Sequence, residues 1–249
     1  MTSPSQPTLT ADKRRRSGTV GAGPPTELRL LNAFDLRVDG EPVPLPQPAQ
    51  RVLAFLALSD RRVSRTATAG RLWSDGTDAL ALGSLRSALW QLRRSGVPPV
   101  DASRGQLALD PRVAVDVQSL LSWSHRQLDG VDEAPDLEYV RLFGELLPDW
   151  YDDWVILERE RLRELHIRAL EALSDRLTSA GVYHGAMEAA LAAVRNDPLR
   201  ESAHRCLIRI YLAEGNRPEA VRCYRVFEKL LCEGLGVQPS SLIQTLAGV

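Results

Sequence analysis

Residues 84–94 read Ser84-Leu85-Arg86-Ser87-Ala88-Leu89-Trp90-Gln91-Leu92-Arg93-Arg94, and they predict a helix with two very different sides. The helix is predicted to span about Ala79 to Arg94 and to stop at Gly96. At about 100° per residue the apolar side chains gather on one side, which holds Ala81, Leu82, Leu85, Ala88, Leu89 and Leu92. The opposite side holds Gly83, Ser87, Trp90 and Arg94, with Arg86 and Gln91 at its edges. A Trp among Arg, Ser and Gln is unusual on a solvated face, so this side is predicted to contact a partner.

The residue types on the polar side are those that bind DNA. Arg86 can donate two hydrogen bonds to guanine, Gln91 can bind adenine, and Trp90 can pack on a sugar or a thymine methyl group. Arg93 lies lower on the flank and is predicted to contact phosphate. The predicted DNA-binding set on this helix is completed by Ser87 and Arg94. Periodicity leaves one alternative open, in which Trp90 packs against the helical domain described below and the arginines are solvated.

Before this helix the sequence predicts a small antiparallel sheet and two further helices. The strands are indicated by apolar residues of one parity and a turn, namely Leu28, Leu30, Phe34, Leu36 and Val38, the turn Asp39-Gly40, and Val43 and Leu45 on the return strand. One helix is predicted from about Ala49 to Leu58. The other follows Ser64 as its N-cap and ends at the turn Ser74-Asp75-Gly76.

After this helix a closing hairpin is predicted, with Val100, Leu107 and Leu109 around the turn Arg104-Gly105. A sheet, three helices and a hairpin follow each other in the order of an OmpR-type winged helix. Arg104 at the hairpin tip could enter the minor groove or could simply be a turn residue. Near the start of the second helix, Arg61, Arg62 and Arg65 could hold phosphates or could be solvated.

The rest of the chain is predicted to be helical. A long helix from Trp154 to Ala180 has apolar positions at Leu157, Leu162, Leu165, Leu170, Leu173 and Leu177. After it, pairs of residues recur 34 positions apart, as in Gly181 and Gly215, Ala186 and Ala220, and Leu173 and Leu207. Thirty-four residues is the tetratricopeptide period. Because bulky Phe227 stands opposite Ala193, we predict paired helical hairpins rather than a strict repeat.

Composition and charge are those of a globular protein rather than a membrane protein. The 249 residues are 44% hydrophobic and 25% charged. Residues 27–125 hold 12 arginines and 10 acidic residues, net +2, whereas residues 126–249 hold 15 basic and 21 acidic residues, net −6. No apolar run approaches the roughly 18 residues that span a bilayer, and no apolar segment follows the basic residues 13–16. A cytoplasmic location without membrane contact is therefore predicted.

Catalytic and metal-binding patterns are missing from the sequence. The four histidines, His125, His166, His184 and His204, have no carboxylate or Cys at productive spacing, and Cys206, Cys223 and Cys232 show no paired spacing. We therefore predict no enzyme, no cofactor and no metal site, with the cysteines as small buried hydrophobes. The remaining rival is a helical-repeat adaptor whose N-terminal domain binds protein instead of DNA. A gel-shift assay would discriminate the two.

Two segments resemble the Streptomyces antibiotic regulatory protein family. Residues 84–94 resemble its recognition helix. The opening of its bacterial transcriptional activation domain resembles Gly144-Glu145-Leu146-Leu147-Pro148-Asp149-Trp150, followed by Trp154 and Glu158-Arg159-Glu160-Arg161-Leu162. The resemblance covers residues 27 to about 245 in the expected order. One departure is Leu82-Gly83, where family members often have Arg-Asn, and it suggests a different target sequence.

The resemblance implies a function that periodicity alone cannot give. It implies tandem protomers or a homodimer on direct repeats of double-stranded promoter DNA, recruitment of RNA polymerase holoenzyme, and control of a secondary-metabolite (antibiotic) gene cluster. The predicted fold is mostly α with a small β component, an N-terminal OmpR-type winged helix-turn-helix followed by an all-α tetratricopeptide-like helical-repeat domain. The predicted boundaries are 1–26 for a disordered tail, 27–125 for the winged helix, 126–136 for a linker and 137–249 for the helical activation domain.

Overall fold

The structure is a computed structural model that describes residues 25–59, 61–96, 100–131, 138–141 and 144–249. The strands in these ranges are β1 (Thr26–Arg29), β2 (Asp35–Val38), β3 (Glu41–Pro42), β4 (Val63–Ser64), β5 (Val100–Ser103), β6 (Gln106–Leu109) and β7 (Val113–Val115). The helices are α1 (Gln47–Ala57), α2 (Arg65–Leu72), α3 (Asp78–Arg94), α4 (Asp116–Asp129), α5 (Glu138–Arg141), α6 (Asp153–Ser179), α7 (Tyr183–Asn196), α8 (Glu201–Ala213), α9 (Arg217–Leu235) and α10 (Ser241–Ala247). The tail predicted for residues 1–26 lies outside the described residues, except for Pro25 and Thr26.

Two small sheets frame the N-terminal helices. The first has the order β3-β2-β1-β7 and the second the order β4-β6-β5. Both predicted hairpin turns are confirmed, since Asp39 and Gly40 have φ of 54° and 83°, and Arg104 and Gly105 have φ of 51° and 76°. Two consecutive positive φ values give the turn whose twist matches antiparallel strands. The sequence did not predict β7, which pairs with β1 in parallel.

Helices α1, α2 and α3 pack against one another, and α2 and α3 form a helix-turn-helix. The predicted N-cap of α2 is confirmed, because the hydroxyl of Ser64 accepts a hydrogen bond from the Ala67 N–H at 3.1 Å. The apolar side of α3 is also confirmed, with buried Ala81, Leu85, Ala88, Leu89 and Leu92 and a partly buried Leu82. The winged-helix architecture predicted from the order of elements is therefore present.

The C-terminal half consists of helical hairpins that share one cap geometry. Helices α6 and α7 form the first hairpin, and α8 and α9 form the second. Each first helix ends at a glycine with left-handed φ, 74° at Gly181 and 76° at Gly215. The equivalent cap hydrogen bonds run from Val182 N to Leu177 O at 2.9 Å and from Asn216 N to Tyr211 O at 2.7 Å. The 34-residue recurrence therefore corresponds to a repeated helix ending.

Helix α6 follows its predicted span, but its first turns bury different residues. Leu157, expected on the buried stripe, is 64% exposed, so that expectation is wrong. Trp154 and Val155 are buried in its place and Leu162 follows them. The reason is that this end of α6 packs on the winged helix rather than on α7, and it presents a different side to its neighbour.

The two halves of the chain share one hydrophobic core. Leu146, Leu147 and Trp154 belong to the same buried cluster as the winged-helix side chains. The backbone continues this junction, since Leu147 N donates to Leu30 O at 3.0 Å and Leu31 bridges to Leu146. Helix α4 extends to Asp129 and packs against α6, so it occupies the first residues of the segment predicted as a linker, of which residues 132–137 lie outside the described ranges. Within the described ranges, none of the helices combines the length and apolar character that crossing a bilayer requires.

Candidate nucleic-acid interface

The exposed side of α3 carries a Trp and several polar side chains. Trp90 is 56% exposed, and the guanidinium of Arg94 lies 4.7 Å above the centre of its ring. Such a stack holds both side chains in place at the surface. Arg86, Ser87 and Arg93 are exposed on the same helix. Since Trp90 is solvent-exposed and stacked by its own helix, the alternative that it packs against the helical domain does not describe this structure.

Gln91 differs from the rest of the predicted set. Its side chain is half-buried, and its carbonyl oxygen Oε1 is buried without a hydrogen-bond partner. The amide lies at the wall of a groove of about 550 Å³ that runs along α3. On α3 the groove is lined by Leu80, Gly83, Ser84, Arg86 and Ser87, with Trp73 from the end of α2 opposite. In this structure Gln91 therefore does not present both ends of its amide at the surface.

The wing is fixed to the helix-turn-helix at its tip. Arg104 stands exposed in the β5–β6 turn, and the neighbouring Gly105 O accepts a hydrogen bond from Arg65 N at 3.1 Å. Arg62 donates to the hydroxyl of Ser103 at 2.8 Å and forms an ion pair with Asp101. Arg62, considered above as a phosphate contact, is thus engaged with β5. The structure brings Arg104 and the half-buried Arg65 together at the start of α2.

A contact between α1 and the helical domain was missed by the sequence reasoning. Arg51 of α1 forms an ion pair with Asp152, and its guanidinium lies 5.7 Å from the centre of the Trp73 ring. Next to it, the rings of Phe55 and Trp154 meet edge to face at 5.5 Å. These partners are about one hundred residues apart, so no local pattern could pair them. The only signal available was the aromatic and acidic composition of residues 149–154.

Arg159 holds the backbone of residues 146–150 in place at the junction of the two halves. Its guanidinium donates to three backbone carbonyls, those of Leu146, Leu147 and Trp150. Leu147 has a φ of +43°, a strained value for a side chain of its size, and it is held there by a buried environment. Asp116 joins the start of α4 to the residues after β1, because its carboxylate accepts hydrogen bonds from Leu30 N at 3.0 Å and from Leu31 N at 2.9 Å.

Two histidines and a cysteine are buried in the core of the helical domain. His166 bonds the carbonyl of Tyr139 at 3.2 Å and His204 that of Pro198 at 2.9 Å, and burial lowers the pKa of both imidazoles. Cys206 is 3% exposed, as predicted for a small buried hydrophobe, and burial raises the pKa of its thiol to about 12. Cys223 and Cys232 are only partly buried. Across the described residues no group of three or more His, Cys, Asp or Glu side chains is placed to hold a metal ion.

Comparisons with known proteins identify the family. Residues 118–248 match the family model described as the bacterial transcriptional activator domain, which is more than half of the chain. The chain is 31% identical over 224 residues to the regulatory protein AfsR of Streptomyces coelicolor, which covers 84% of this chain and 22% of AfsR. It is 27% identical over 206 residues to AfsR of Streptomyces griseus, which covers 77% of this chain and 21% of that protein. The chain thus spans about a fifth of the length of these relatives.

A solved structure shares the fold. Mycobacterium tuberculosis EmbR, determined in complex with a low-affinity phosphopeptide, superposes with a TM-score of 0.69 at 22% identity, over 90% of this chain and 64% of EmbR. At this identity the likeness concerns the fold, and it supports the predicted fold class. The sequence relatives are regulatory proteins, and the matched family model covers α4 to α10. The chain therefore belongs to the bacterial transcriptional activator domain family, as a Streptomyces antibiotic regulatory protein (SARP) type of transcriptional activator.

Proposed function

We propose that this activator binds direct repeats in double-stranded promoter DNA through α3 and recruits RNA polymerase holoenzyme through its helical domain. The observation that carries the proposal is the exposed Trp90–Arg94 stack on the second helix of a helix-turn-helix. Exposure of an aromatic ring to water is energetically unfavourable. In a complex with DNA, the ring can pack on a sugar or a base while the stacked guanidinium binds a phosphate. The residues that we assign to DNA contact are Arg86, Ser87, Trp90, Gln91, Arg93 and Arg94, together with Arg65 and Arg104.

The geometry of the N-terminal half supports a two-groove contact. A major groove about 12 Å wide admits one α-helix, and the C-terminal half of α3 exposes Arg86, Ser87, Trp90, Arg93 and Arg94. The hydrogen bond from Arg65 N to Gly105 O and the pairing of β4 with β6 join the wing to the start of α2. Arg104 at its tip is then available to the adjacent minor groove while α3 occupies the major groove.

Charge separates the roles of the two halves. Residues 126–249 carry a net charge of −6, which disfavours an independent role on DNA and favours protein contacts. We assign residues 27–125 to DNA reading and residues 137–249 to contacts with polymerase and with a second protomer. The relatives are regulatory proteins of Streptomyces, and we extend this to a cytoplasmic regulator of a secondary-metabolite gene cluster.

The test is footprinting of the full chain on the DNA around its own gene, followed by transcription in vitro. Tandem protomers should protect direct repeats whose centres are about 10–11 bp apart, so that both meet the same face of the DNA. Lengthening the spacer by half a helical turn should abolish cooperative binding and activation. The full chain is used because the winged-helix core includes Leu146, Leu147 and Trp154. If no duplex is protected, the protein is the adaptor considered above and the proposal is wrong.

A further inference from the structure

The side chain of Arg86 lies over a position that has no side chain of its own. Apart from the adjoining residues and the backbone of the helix itself, a Cβ atom built on Gly83 would have Arg86 Nη2 as its described neighbour within 4 Å, at 3.9 Å. Gly83 and Arg86 are three residues apart on α3 and so share one helix face. The guanidinium is therefore folded back along the helix toward its N-terminus, across the bare backbone of Gly83.

This placement moves the positive charge by about one helical turn. The guanidinium lies in the same groove as Leu80, which is 68% exposed, and as Ser84. A helix rises about 1.5 Å per residue, so the three residues from 83 to 86 span about 4.5 Å along the axis, somewhat more than one base-pair step of about 3.4 Å. An Arg that points outward from position 86 and one that lies over position 83 therefore meet different base pairs.

We infer that Gly83 is a specificity-determining residue, because its missing side chain sets which base pair Arg86 reads. The inference rests on the proposed DNA binding by α3. Alanine at this position adds only a Cβ at ordinary contact distance and leaves the guanidinium where it is. Members of the Streptomyces antibiotic regulatory protein family often have asparagine at this position. Its side chain would fill the space in which the Arg86 guanidinium now lies, and its carbonyl oxygen would accept a hydrogen bond from that guanidinium. The Arg86 donors are then turned away from their base.

Gly70 offers a matched control on the neighbouring helix. It lies inside α2 and is exposed, and a Cβ atom added to it would meet no described neighbour within 4 Å. Gly70→Asn therefore makes the same chemical change in a helix interior without a guanidinium beside it. Any effect of helix propensity or of general stability should appear in both variants.

The experiment is selection of bound sequences from a randomised duplex library by the full chain, with Kd measured for the selected site and for its single base-pair variants at one salt concentration. We expect wild type, Gly83→Ala and Gly70→Asn to select the same site. Gly83→Asn should lose about 10-fold or more of the discrimination at one base pair, the same one that Arg86→Ala relaxes. The double variant Gly83→Asn/Arg86→Ala should discriminate no worse than Arg86→Ala alone, since one substitution acts through the other.

The outcomes separate this inference from the function on which it rests. If wild type selects a defined site and Gly83→Asn selects the same one, or if Gly83→Asn and Arg86→Ala relax different base pairs, the inference is wrong and DNA reading by α3 stands. If wild type selects no site at all, the proposed function falls and the inference falls with it. Circular dichroism of each variant before selection identifies one that has lost its fold. If Gly83→Asn is that variant, Gly83→Ser replaces it, because the serine hydroxyl also accepts a hydrogen bond from the guanidinium, and it should lose discrimination at the same base pair as Arg86→Ala.

Discussion

Trp154→Ala should destabilise both halves of the protein in a single transition. Trp154 is only 5% exposed at the start of α6, where its ring meets Phe55 at 5.5 Å and Trp150 at 6.4 Å. Truncating a buried Trp to Ala costs about 3–5 kcal/mol. Its indole N–H is buried without a hydrogen-bond partner, a defect that already weakens the wild type, so we expect the lower end of this range, about 3 kcal/mol.

Two variants on the same helix control this experiment. Leu157→Ala, three residues further along, removes a side chain that is 64% exposed and should change the free energy of unfolding by no more than about 0.5 kcal/mol. Trp154→Phe keeps an aromatic ring and removes the unpaired N–H, so it should cost about 1 kcal/mol or less. Urea unfolding followed by far-UV circular dichroism and by Trp fluorescence measures all three.

The shared core predicts the shape of the urea unfolding curves. Because Trp154 belongs to the same buried cluster as α1 and α3, the two probes should give one coincident transition, shifted as a whole in Trp154→Ala. If Trp154→Ala costs no more than Leu157→Ala, or if it splits unfolding into two separate transitions with only one displaced, the shared core is not what joins the halves.

Three further predictions concern the core, the DNA contacts and pH. Leu92→Asp places a charge where the wild-type side chain is 2% exposed, so circular dichroism should show an unfolded protein, whereas Ser87→Asp on the exposed side should stay folded. Arg93→Ala should weaken binding to all duplexes and reduce the slope of log Kd against log salt by about one, and a loss confined to one sequence would refute the phosphate assignment. His166 and His204 have pKa values lowered by burial, so below about pH 6.5 the unfolded chain takes up protons that the folded chain refuses. The urea concentration at the midpoint of unfolding should therefore decrease as the pH is lowered from 7.5 to 5.5, and it should decrease less in His166→Gln/His204→Gln. A midpoint in wild type that does not change with pH would contradict this.

Local chemistry made much of the winged helix predictable. The turns Asp39-Gly40 and Arg104-Gly105 and the Ser64 cap depend on residues within a few positions of one another. The buried side of α3 follows from a 3.6-residue period that one helix carries by itself. The glycines after α6 and α8 were predictable because a helix ending also depends on nearby residues only.

Contacts between distant segments were not predictable from local patterns. The pairing of β7 with β1, the ion pair between Arg51 and Asp152, and the burial of Trp154 each depend on a partner far away in the chain. The same cause misplaced Leu157, since an apolar residue at helical spacing is buried only if a neighbour covers that side. Gln91 is half-buried beside a groove that is also lined by Trp73, a residue outside α3.

The most direct test of DNA reading by α3 is the ratio of specific to non-specific affinity. We would measure Kd of the full chain for its footprinted site and for a scrambled duplex at one salt concentration, for wild type, Arg86→Ala and Arg195→Ala. Arg195 is an exposed arginine on α7, so it controls for the loss of one positive charge. Arg86→Ala should lower the ratio by about 10-fold or more, equivalent to about 1–3 kcal/mol, and Arg195→Ala should leave it unchanged. An Arg86→Ala protein with the wild-type ratio would contradict the assignment of α3 as the reading helix.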